Sequence, residues 1–318
     1  MNIAVLALEG VFDTGISTVL DVFHSANELN QLTQLQAPAL TVQVVGLRPT
    51  VQSALGWQIP VQPVPAATPD WVVVPAIGYK LPEALVPALA RADVIDAGAQ
   101  LRQWAGQGAS IAAACIGTFV LAESGLLNQH QATTTWWLAP LFRQRYPEVQ
   151  LNAEQMIVAD RNCVTAGAAL SHVDLAFWLL RQHSPALASL VAKYLVVDSR
   201  PAQSAYVISD HLARANPLVE QFDRWARAHL AQPFNLDAAA AALATSKRTL
   251  ARRLNAVLGK SPVAYLQDLR IERAVHLLKT SQYSVDQIAE QVGYADGVTL
   301  RTLMRRRLGL GIKELRRA

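Results

Sequence analysis

Apolar residues recur along this chain in two different patterns. In the first 190 residues, short unbroken apolar runs alternate with segments whose apolar positions are spaced three or four residues apart. The runs predict strands buried on both faces, at Ile3–Leu8, Leu40–Gly46, Trp71–Pro75 and Ser110–Ala114. The spaced segments predict helices, around Thr18–Leu32, Leu85–Trp104, Gly117–Leu127 and His172–Leu180. This alternation predicts a doubly wound α/β domain.

The last third of the chain contains an internal repeat. Leu236-Asp-x-Ala-Ala-x-x-Leu243 matches Val285-Asp-x-Ile-Ala-x-x-Val292, and the match continues after one inserted residue. Each copy has apolar positions at helical spacing that are interrupted by a short turn, which is typical of a helix-turn-helix unit. We predict a long connecting helix from about Pro262 to Leu278. The C-terminal domain is therefore expected to be all-α.

Capping residues agree with these helix boundaries. The candidate N-caps are Asn235, Ser246, Ser284 and Asp296. Ser284-Val-Asp-Gln287 has the spacing of a capping box. Gly259 and Gly309 suit the ends of the second helices, where a left-handed residue is needed. We set the domains at 1–190 and 217–318, joined by a linker region at 191–216.

Charge divides the chain in the same way. Residues 1–190 contain eight Lys and Arg against 13 Asp and Glu, a net charge of −5, whereas the remainder contains 20 against 11, a net charge of +9. Phosphate is attracted to the second part alone, so contact with double-stranded DNA is expected there. A hydrophobic content of 52% excludes a disordered chain. The lack of a signal peptide or long apolar stretch predicts a cytoplasmic protein without a membrane partner.

Basic residues concentrate on the second helix of each repeat. Leu250 and Leu254 are assigned to the core of the first unit, and Leu300, Leu303 and Met304 to that of the second. Arginine can read guanine in the major groove, and other basic residues neutralise phosphate. The predicted DNA-binding residues are Lys247, Arg248, Ala251, Arg252, Gly297, Val298, Arg301, Thr302 and Arg305.

This region resembles the AraC family of regulators. The resemblance rests on Thr245-Ser-Lys-Arg-Thr-Leu-Ala-Arg-Arg-Leu254, on the segment from Gly259 to Ala274, and on Ile288-Ala-Glu-Gln-Val-Gly-Tyr294. It implies two recognition helices in successive major grooves and a homodimer formed through the N-terminal domain. Met304 replaces the usual aromatic residue, and Gly311-Ile312 replaces Ser-Pro. Because Gly297 and Val298 offer few hydrogen bonds, the second unit is expected to make fewer base contacts.

A cysteine lies between the fourth predicted strand and the helix that follows it. Ser110-Ile-Ala-Ala-Ala-Cys115-Ile-Gly117 places Cys115 where a residue is often strained and exposed at the carboxyl edge of a sheet. The helix N-terminus would favour the thiolate and lower the thiol pKa. The alternative is a buried and inert cysteine. The only other cysteine is Cys163, so no disulfide framework is implied.

The Cys115 segment resembles the class I glutamine-amidotransferase-like fold of the PfpI group. The resemblance rests on Cys115-x-Gly-x-Phe-Val-Leu-Ala-Glu-Ser-Gly-Leu-Leu127 and on Ala132-Thr-Thr-Thr-Trp136, and it implies a flavodoxin-like fold. Active members have a histidine where this chain has Thr135, which cannot act as a base. His130 and His172 are the nearest histidines, and relatives place an acidic residue near Glu9 and Asp13.

We therefore expect a ligand sensor with no catalytic residue, cofactor or metal. The predicted ligand-binding residues, at the sheet edge, are Asp13, Cys115, Ile116, Gly117 and Trp136. The expected function is regulation of transcription, as an activator, in response to a small-molecule effector. By analogy with relatives, this effector is expected to contain nitrogen. RNA polymerase is a further candidate partner. The alternative is a Cys115-dependent hydrolase or hydratase fused to a DNA-binding module.

Overall fold

The computed structural model describes residues 1–200, 202–203, 216–308 and 311–317. The chain forms two compact units, Met1–Gln203 and Ser204–Ala318. Their boundary falls inside the predicted linker region 191–216, of which residues 201 and 204–215 lie outside the described residues. The linker assignment itself stays a prediction. None of the described helices is both long and apolar enough to cross a membrane.

A six-stranded sheet forms the centre of the N-terminal unit. Its strands, in spatial order, are β2 (Thr41–Gly46), β1 (Asn2–Ala7), β5 (Trp71–Val74), β6 (Ser110–Ala114), β10 (Cys163–Ala166) and β9 (Ile157–Asp160). All neighbours pair in parallel except β9, which is antiparallel to β10. Two small ladders join β3 (Val51–Gln52) to β4 (Gln58–Ile59) and β7 (Gln131–Ala132) to β8 (Gln150–Leu151).

Helices cover both faces of this sheet, as the fold prediction required. One face packs against α1 (Asp13–Thr33), α6 (Ser171–His183) and α7 (Pro185–Tyr194). The other packs against α2 (Pro82–Leu89), α3 (Ala92–Gly106), α4 (Gly117–Glu123) and α5 (Ala139–Arg145). Successive strand side chains point to opposite faces, so both sets must be apolar, which explains the unbroken apolar runs.

The structure differs from the sequence prediction at three places. The predicted helix Leu85–Trp104 is two helices, which separate at Ala90 and Arg91. The β9–β10 hairpin was not predicted, because Asp160 in β9 and Thr165 in β10 interrupt the apolar runs of these four-residue strands. Helix α1 begins at Asp13 rather than near Thr18. Within α1, Ile16 is the only large apolar residue before Val19, and Asp13, Thr14 and Ser17 around it are polar, so apolar periodicity becomes visible later than the helix begins.

The C-terminal unit contains seven described helices. They are α8 (Pro217–Ala228), α9 (Leu236–Ala242), α10 (Lys247–Leu258), α11 (Pro262–Thr280), α12 (Val285–Gln291), α13 (Gly297–Leu308) and α14 (Ile312–Arg317). They enclose two separate hydrophobic cores. Helix α11 contributes Leu266 and Leu269 to the first core and Ala274 and Leu277 to the second. The predicted connecting helix therefore packs against both helix-turn-helix units.

The predicted caps are present where the structure describes them. Ser246 accepts a hydrogen bond from the Thr249 N–H, and Ser284 forms a full capping box with Gln287. Gly259 ends α10 in the left-handed region with φ 68°. Gly309 lies outside the described residues. Leu303 is half-buried, whereas the prediction had placed it in the core, because Leu300 and Met304 fill that position.

Candidate DNA-binding surface and cysteine site

Helix α10 presents a basic face opposite its apolar one. Leu250, Leu254 and Leu258 recur every four residues and are buried in the first core. The opposite face exposes Lys247, Arg248 and Arg252, while Ala251 between them is half-buried. The Lys247 ammonium lies 2.8 Å from a carboxylate oxygen of Asp237 on α9. The four predicted residues of this helix therefore share one accessible surface.

Helix α13 presents four of its five predicted residues to solvent. Val298 is 66% exposed, and Arg301, Thr302 and Arg305 are also exposed. Thr302 donates its hydroxyl hydrogen to the Val298 carbonyl at 3.0 Å, so its side chain can offer DNA only an acceptor. Val298 has no polar group, but its methyl groups can contact the methyl group of thymine.

Gly297 does not belong to this exposed surface. It is buried, and its N–H donates to a carboxylate oxygen of Asp286 at 2.9 Å. A Cβ atom at Gly297 would lie 2.6 Å from the same oxygen, so a side chain here would displace the Asp286 carboxylate from this hydrogen bond. Because its one donor is occupied and its Cα is covered, we leave Gly297 out of the proposed DNA-binding surface.

Four of the arginines on the two helices carry free positive charge. Within the described part of the chain, Arg248, Arg252, Arg301 and Arg305 form no salt bridge. Arg307 differs, because its guanidinium lies 3.7 Å from Asp268 on α11. An unpaired and exposed guanidinium can bind phosphate or a guanine edge without first losing an intramolecular partner.

Cys115 occupies a strained turn at the carboxyl end of β6. Its φ is 56°, in the left-handed region that a side chain disfavours, and its N–H donates to the Ala166 carbonyl on β10 at 3.0 Å. A Cβ atom at Gly117 would lie 2.8 Å from the Pro75 carbonyl oxygen. Glycine therefore allows α4 to begin directly against the end of β5. We call residues 115–117 the Cys115 turn.

The Cys115 thiol is protonated at neutral pH. The side chain is 3% exposed, and burial raises its pKa to about 12. The Ile116 N–H and the Thr135 hydroxyl favour the thiolate, but burial has the larger effect. The Thr135 oxygen lies near the thiol without reaching hydrogen-bond geometry with any described residue. The Ile116 N–H at the helix start thus acts in the expected direction, but the expected net lowering of the thiol pKa is wrong because burial outweighs it.

His172 is buried close to the same sheet edge but is engaged at both ring nitrogens. Its Nε2 accepts from the Ala76 N–H at 3.1 Å, and its Nδ1 donates to the Ala169 carbonyl at 2.6 Å, which assigns the neutral tautomer. Burial lowers the pKa of His172 to about 4. The ring also fills the space above Gly15, where a Cβ would lie 2.8 Å from Nε2. These bonds leave it unavailable as a base.

The remaining polar candidates make structural contacts. His130 contacts the Asn128 carbonyl of its own loop at 2.9 Å. A carboxylate oxygen of Glu9 accepts from the Gln52 N–H at 3.0 Å. Asp13 accepts from the Leu55 N–H at 3.1 Å, and its other oxygen is buried without a hydrogen-bond partner among the described residues. That unsatisfied oxygen can accept a donor from a ligand.

The structure brings part of the predicted ligand set together. Cys115, Ile116 and Gly117 are consecutive, and the Cys115 carbonyl accepts from the Thr134 hydroxyl at 2.7 Å. Trp136 begins a short 3-10 helix (Trp136–Leu138) one residue beyond Thr135 and is 9% exposed. Ile116 and Gly117 are also buried. The ligand-binding assignment of these five residues stays a prediction.

Sequence reasoning missed the residues that surround this turn. Thr133 and Thr134 are buried and bonded to several main-chain groups, and Gln203 reaches the same cluster from the far end of the unit. The three threonines at 133–135 were visible in the sequence as an unusual polar run. Gln203 gave no local signal, because its partner Thr134 is 69 positions away.

Comparison with known proteins identifies both units. A family model described as DJ-1/PfpI family matches residues 1–182, more than half of the chain. The chain belongs to the DJ-1/PfpI family. A second model, described as a helix-turn-helix domain, matches residues 239–318. The DJ-1/PfpI domain is therefore joined to an AraC-type helix-turn-helix domain, as the two sequence resemblances implied.

Similar proteins are named as transcriptional regulators. The HTH-type transcriptional regulator ArgR of Pseudomonas aeruginosa is 28% identical over 242 residues, which span 75% of this chain and 71% of that protein. The regulator GbdR of the same species is 26% identical over 61% of this chain and 54% of its own length. A crystal structure of an AraC family transcriptional regulator from Pseudomonas putida shares the N-terminal fold, with a TM-score of 0.51 and 20% identity over 61% of this chain and 98% of that one.

Proposed function

We propose that this protein is a sequence-specific regulator of transcription whose DJ-1/PfpI domain binds a small molecule without chemical turnover. The observation that carries the DNA-binding part is the pair of second helices, α10 and α13, each with exposed arginines that have no salt bridge within the described residues. Major-groove recognition by a second helix is the mode that this geometry supports. RNA polymerase is a candidate partner for such a regulator.

Selection from a random library of DNA duplexes tests this function. The full chain is expected to enrich one sequence with two recognition elements about one helical turn apart. Binding to the enriched duplex should exceed binding to a scrambled duplex at the same salt concentration. Equal affinity for both duplexes would contradict sequence-specific regulation.

A non-catalytic role for the N-terminal domain is supported by the Cys115 turn. A thiol pKa of about 12, Thr135 in place of a base, and a His172 whose nitrogens are both bonded argue against a thiolate nucleophile. The hydrolase alternative therefore rests on the strained Cys115 turn alone, without a base among the described residues to activate the thiol. The change Cys115→Ala tests it: abolished turnover of a substrate with unaltered DNA binding would establish the enzyme instead.

We also propose that two copies pair through the N-terminal domain. Leu55 and Trp57, on the β3–β4 hairpin, are 75% and 68% exposed, which is unusual for large apolar side chains. Pairing would bury such surface and present two sets of recognition helices to one operator. Sedimentation of the full chain and of Trp57→Ser tests this. A monomeric wild-type protein at micromolar concentration would contradict it.

A further inference from the structure

Gln203 is seated inside the N-terminal unit although it is the last residue of that unit. Its side chain is 0% exposed. The main chain is held as well: Ala202 forms an antiparallel bridge with Gln155, and the Gln203 N–H donates to the Glu154 carbonyl at 2.9 Å. The chain that leads to the helix-turn-helix unit therefore leaves from an anchored point.

Three acceptors surround the side-chain nitrogen of Gln203. Nε2 lies 2.8 Å from the Thr134 carbonyl, 2.9 Å from the Ala153 carbonyl and 3.2 Å from the Thr133 hydroxyl oxygen. The Thr133 hydroxyl hydrogen is donated to the Gln155 carbonyl at 3.0 Å, so this oxygen acts as an acceptor towards Gln203. We call these three oxygens the Gln203 seat.

The Gln203 carboxamide leaves the hydrogen bonding of this seat incomplete. Its NH2 group has two hydrogens for three acceptors. Its oxygen, Oε1, is buried and finds no hydrogen-bond partner among the described residues. It faces Gly167, where a Cβ would lie 2.5 Å from Oε1, so a larger residue at this position would require the Gln203 side chain to move. A buried unpaired oxygen is unfavourable, and native structures keep few of them without a functional reason.

The seat is connected to the Cys115 turn through one residue. The Thr134 carbonyl belongs to the seat, while the Thr134 hydroxyl donates to the Cys115 carbonyl at 2.7 Å. Thr133 is fixed in turn by the Thr165 hydroxyl, which accepts from the Thr133 N–H at 2.8 Å. The seat is thus a rigid set of acceptors beside the turn where a ligand site was expected.

We propose that the Gln203 seat is a binding site for the primary ammonium group of a small molecule, with the Gln203 side chain as its internal competitor. An ammonium group supplies three hydrogens to three acceptors and leaves no oxygen unpaired. Main-chain carbonyl dipoles bind a cation more strongly than a neutral amide. A ligand that displaces Gln203 also frees the chain just before the helix-turn-helix unit, which links binding to regulation.

This inference rests on the proposed sensory function. It predicts that removal of the Gln203 side chain increases the affinity for the ligand. Removal of a residue that lines a site weakens binding, whereas removal of an internal competitor strengthens it. The apparent dissociation constant is the intrinsic one divided by the fraction of molecules with an open seat. If that fraction is about 1%, Gln203→Ala binds the ammonium group about 100-fold more tightly than the wild type does.

Calorimetry on the full chain with n-propylamine as the probe tests the proposal, with propionamide and n-propanol for comparison. We expect weak binding to wild type, tighter binding to Gln203→Ala and to the bulkier Gln203→Met, and loss of that gain in Thr133→Val/Gln203→Ala. Gln155→Ala is the control, because only the main-chain groups of this exposed residue join the network. Amide hydrogen exchange at residues 197–200, 202 and 203 should rise when propylamine is added to wild type.

Two binding results would overturn the proposal. One is that folded Gln203→Ala or Gln203→Met binds propylamine no more tightly than wild type, and the other is that propionamide binds as tightly as propylamine. The exchange measurement needs no variant, and an unchanged rate at saturating propylamine would also overturn it. If these measurements fail while the wild type still binds DNA sequence-specifically, only the ammonium-binding role of the Gln203 seat is rejected. If the wild type does not bind DNA sequence-specifically, the proposed function is rejected.

Discussion

The carboxylate of Asp286 accepts a hydrogen bond from the Gly297 N–H at 2.9 Å and so ties the first helix of the second helix-turn-helix unit to the start of the second helix. At the repeat-related position, Asp237 pairs with the Lys247 ammonium at 2.8 Å. The two repeats thus keep an aspartate at one position and use it to fix the recognition helix in two ways. One bond reaches a buried main-chain group, and the other is an exposed ion pair.

The first prediction compares these two aspartates. Asp286→Ala leaves a buried N–H without its partner and is expected to lower the free energy of unfolding by about 1–2 kcal/mol. Asp237→Ala removes an exposed ion pair and should cost about 0–1 kcal/mol. Urea unfolding of the C-terminal helices, followed by far-UV circular dichroism, measures both. Equal losses of unfolding free energy in the two variants would contradict the expectation that the Asp286 hydrogen bond stabilises the unit more than the Asp237 ion pair does.

The second prediction concerns base readout. Arg252→Ala and Arg301→Ala should each weaken binding to the selected duplex by about 1–3 kcal/mol at fixed salt and relax specificity at one position. Arg273→Ala is the matched control, since Arg273 is exposed on the connecting helix α11 and lies outside the predicted recognition faces. Fluorescence anisotropy with matched and mismatched duplexes distinguishes base readout from phosphate contact. A uniform loss across all sequences would assign phosphate contact instead.

Local signals predicted most of the fold. Strands β1, β2, β5 and β6 follow from unbroken apolar runs, and both helix-turn-helix units follow from apolar periodicity. The caps at Ser246, Ser284 and Asp296 follow from residue type. These features depend on residues three or four positions apart, which is why a single sequence carries them. The short β9–β10 hairpin exists because β10 completes the sheet beside β6, and no local pattern encodes that partner.

The chemistry of the site depends on distant contacts and was predicted less well. Burial keeps the His172 ring neutral, and its Nε2 accepts from the Ala76 N–H, 96 positions away in the chain. Gln203 is held by Thr134, 69 positions away. The pKa of Cys115 is set by complete burial, which outweighs the neighbouring helix N-terminus. Sequence position identified Cys115 as the candidate nucleophile and Thr135 as the residue that stands in place of its base. It did not reveal the burial that raises the pKa of the Cys115 thiol.

The third prediction follows from the buried thiol. With a pKa of about 12, Cys115 has roughly a thousandfold less thiolate at pH 8 than a thiol at the ordinary value of 9.0. Native protein is expected to resist iodoacetamide at both cysteines, since burial also raises the pKa of Cys163 to about 11. Both should react in urea. Rapid and selective labelling of native Cys115, seen by mass spectrometry, would indicate a functional nucleophile.

The fourth prediction concerns acid stability and the buried His172. Its pKa is lowered from 6.5 to about 4, so the unfolded chain takes up a proton below pH 6.5 that the folded chain does not. The stability contributed by the neutral ring is complete above pH 6.5 and is lost as the pH falls towards 4. The change amounts to about 3 kcal/mol at most, from about 1.4 kcal/mol per pKa unit.

His172→Gln removes this titration while its side-chain oxygen can still accept from the Ala76 N–H. The variant is expected to be less stable than wild type at pH 7, yet to lose less stability between pH 6.5 and 4.5. His24→Gln, at an exposed position, serves as the control for loss of a histidine. Urea unfolding at several pH values gives the slopes, and subtraction between variants cancels the carboxylate contributions common to both. If His172→Gln retains the full wild-type pH dependence, His172 is not the group that couples folding to protonation in this range.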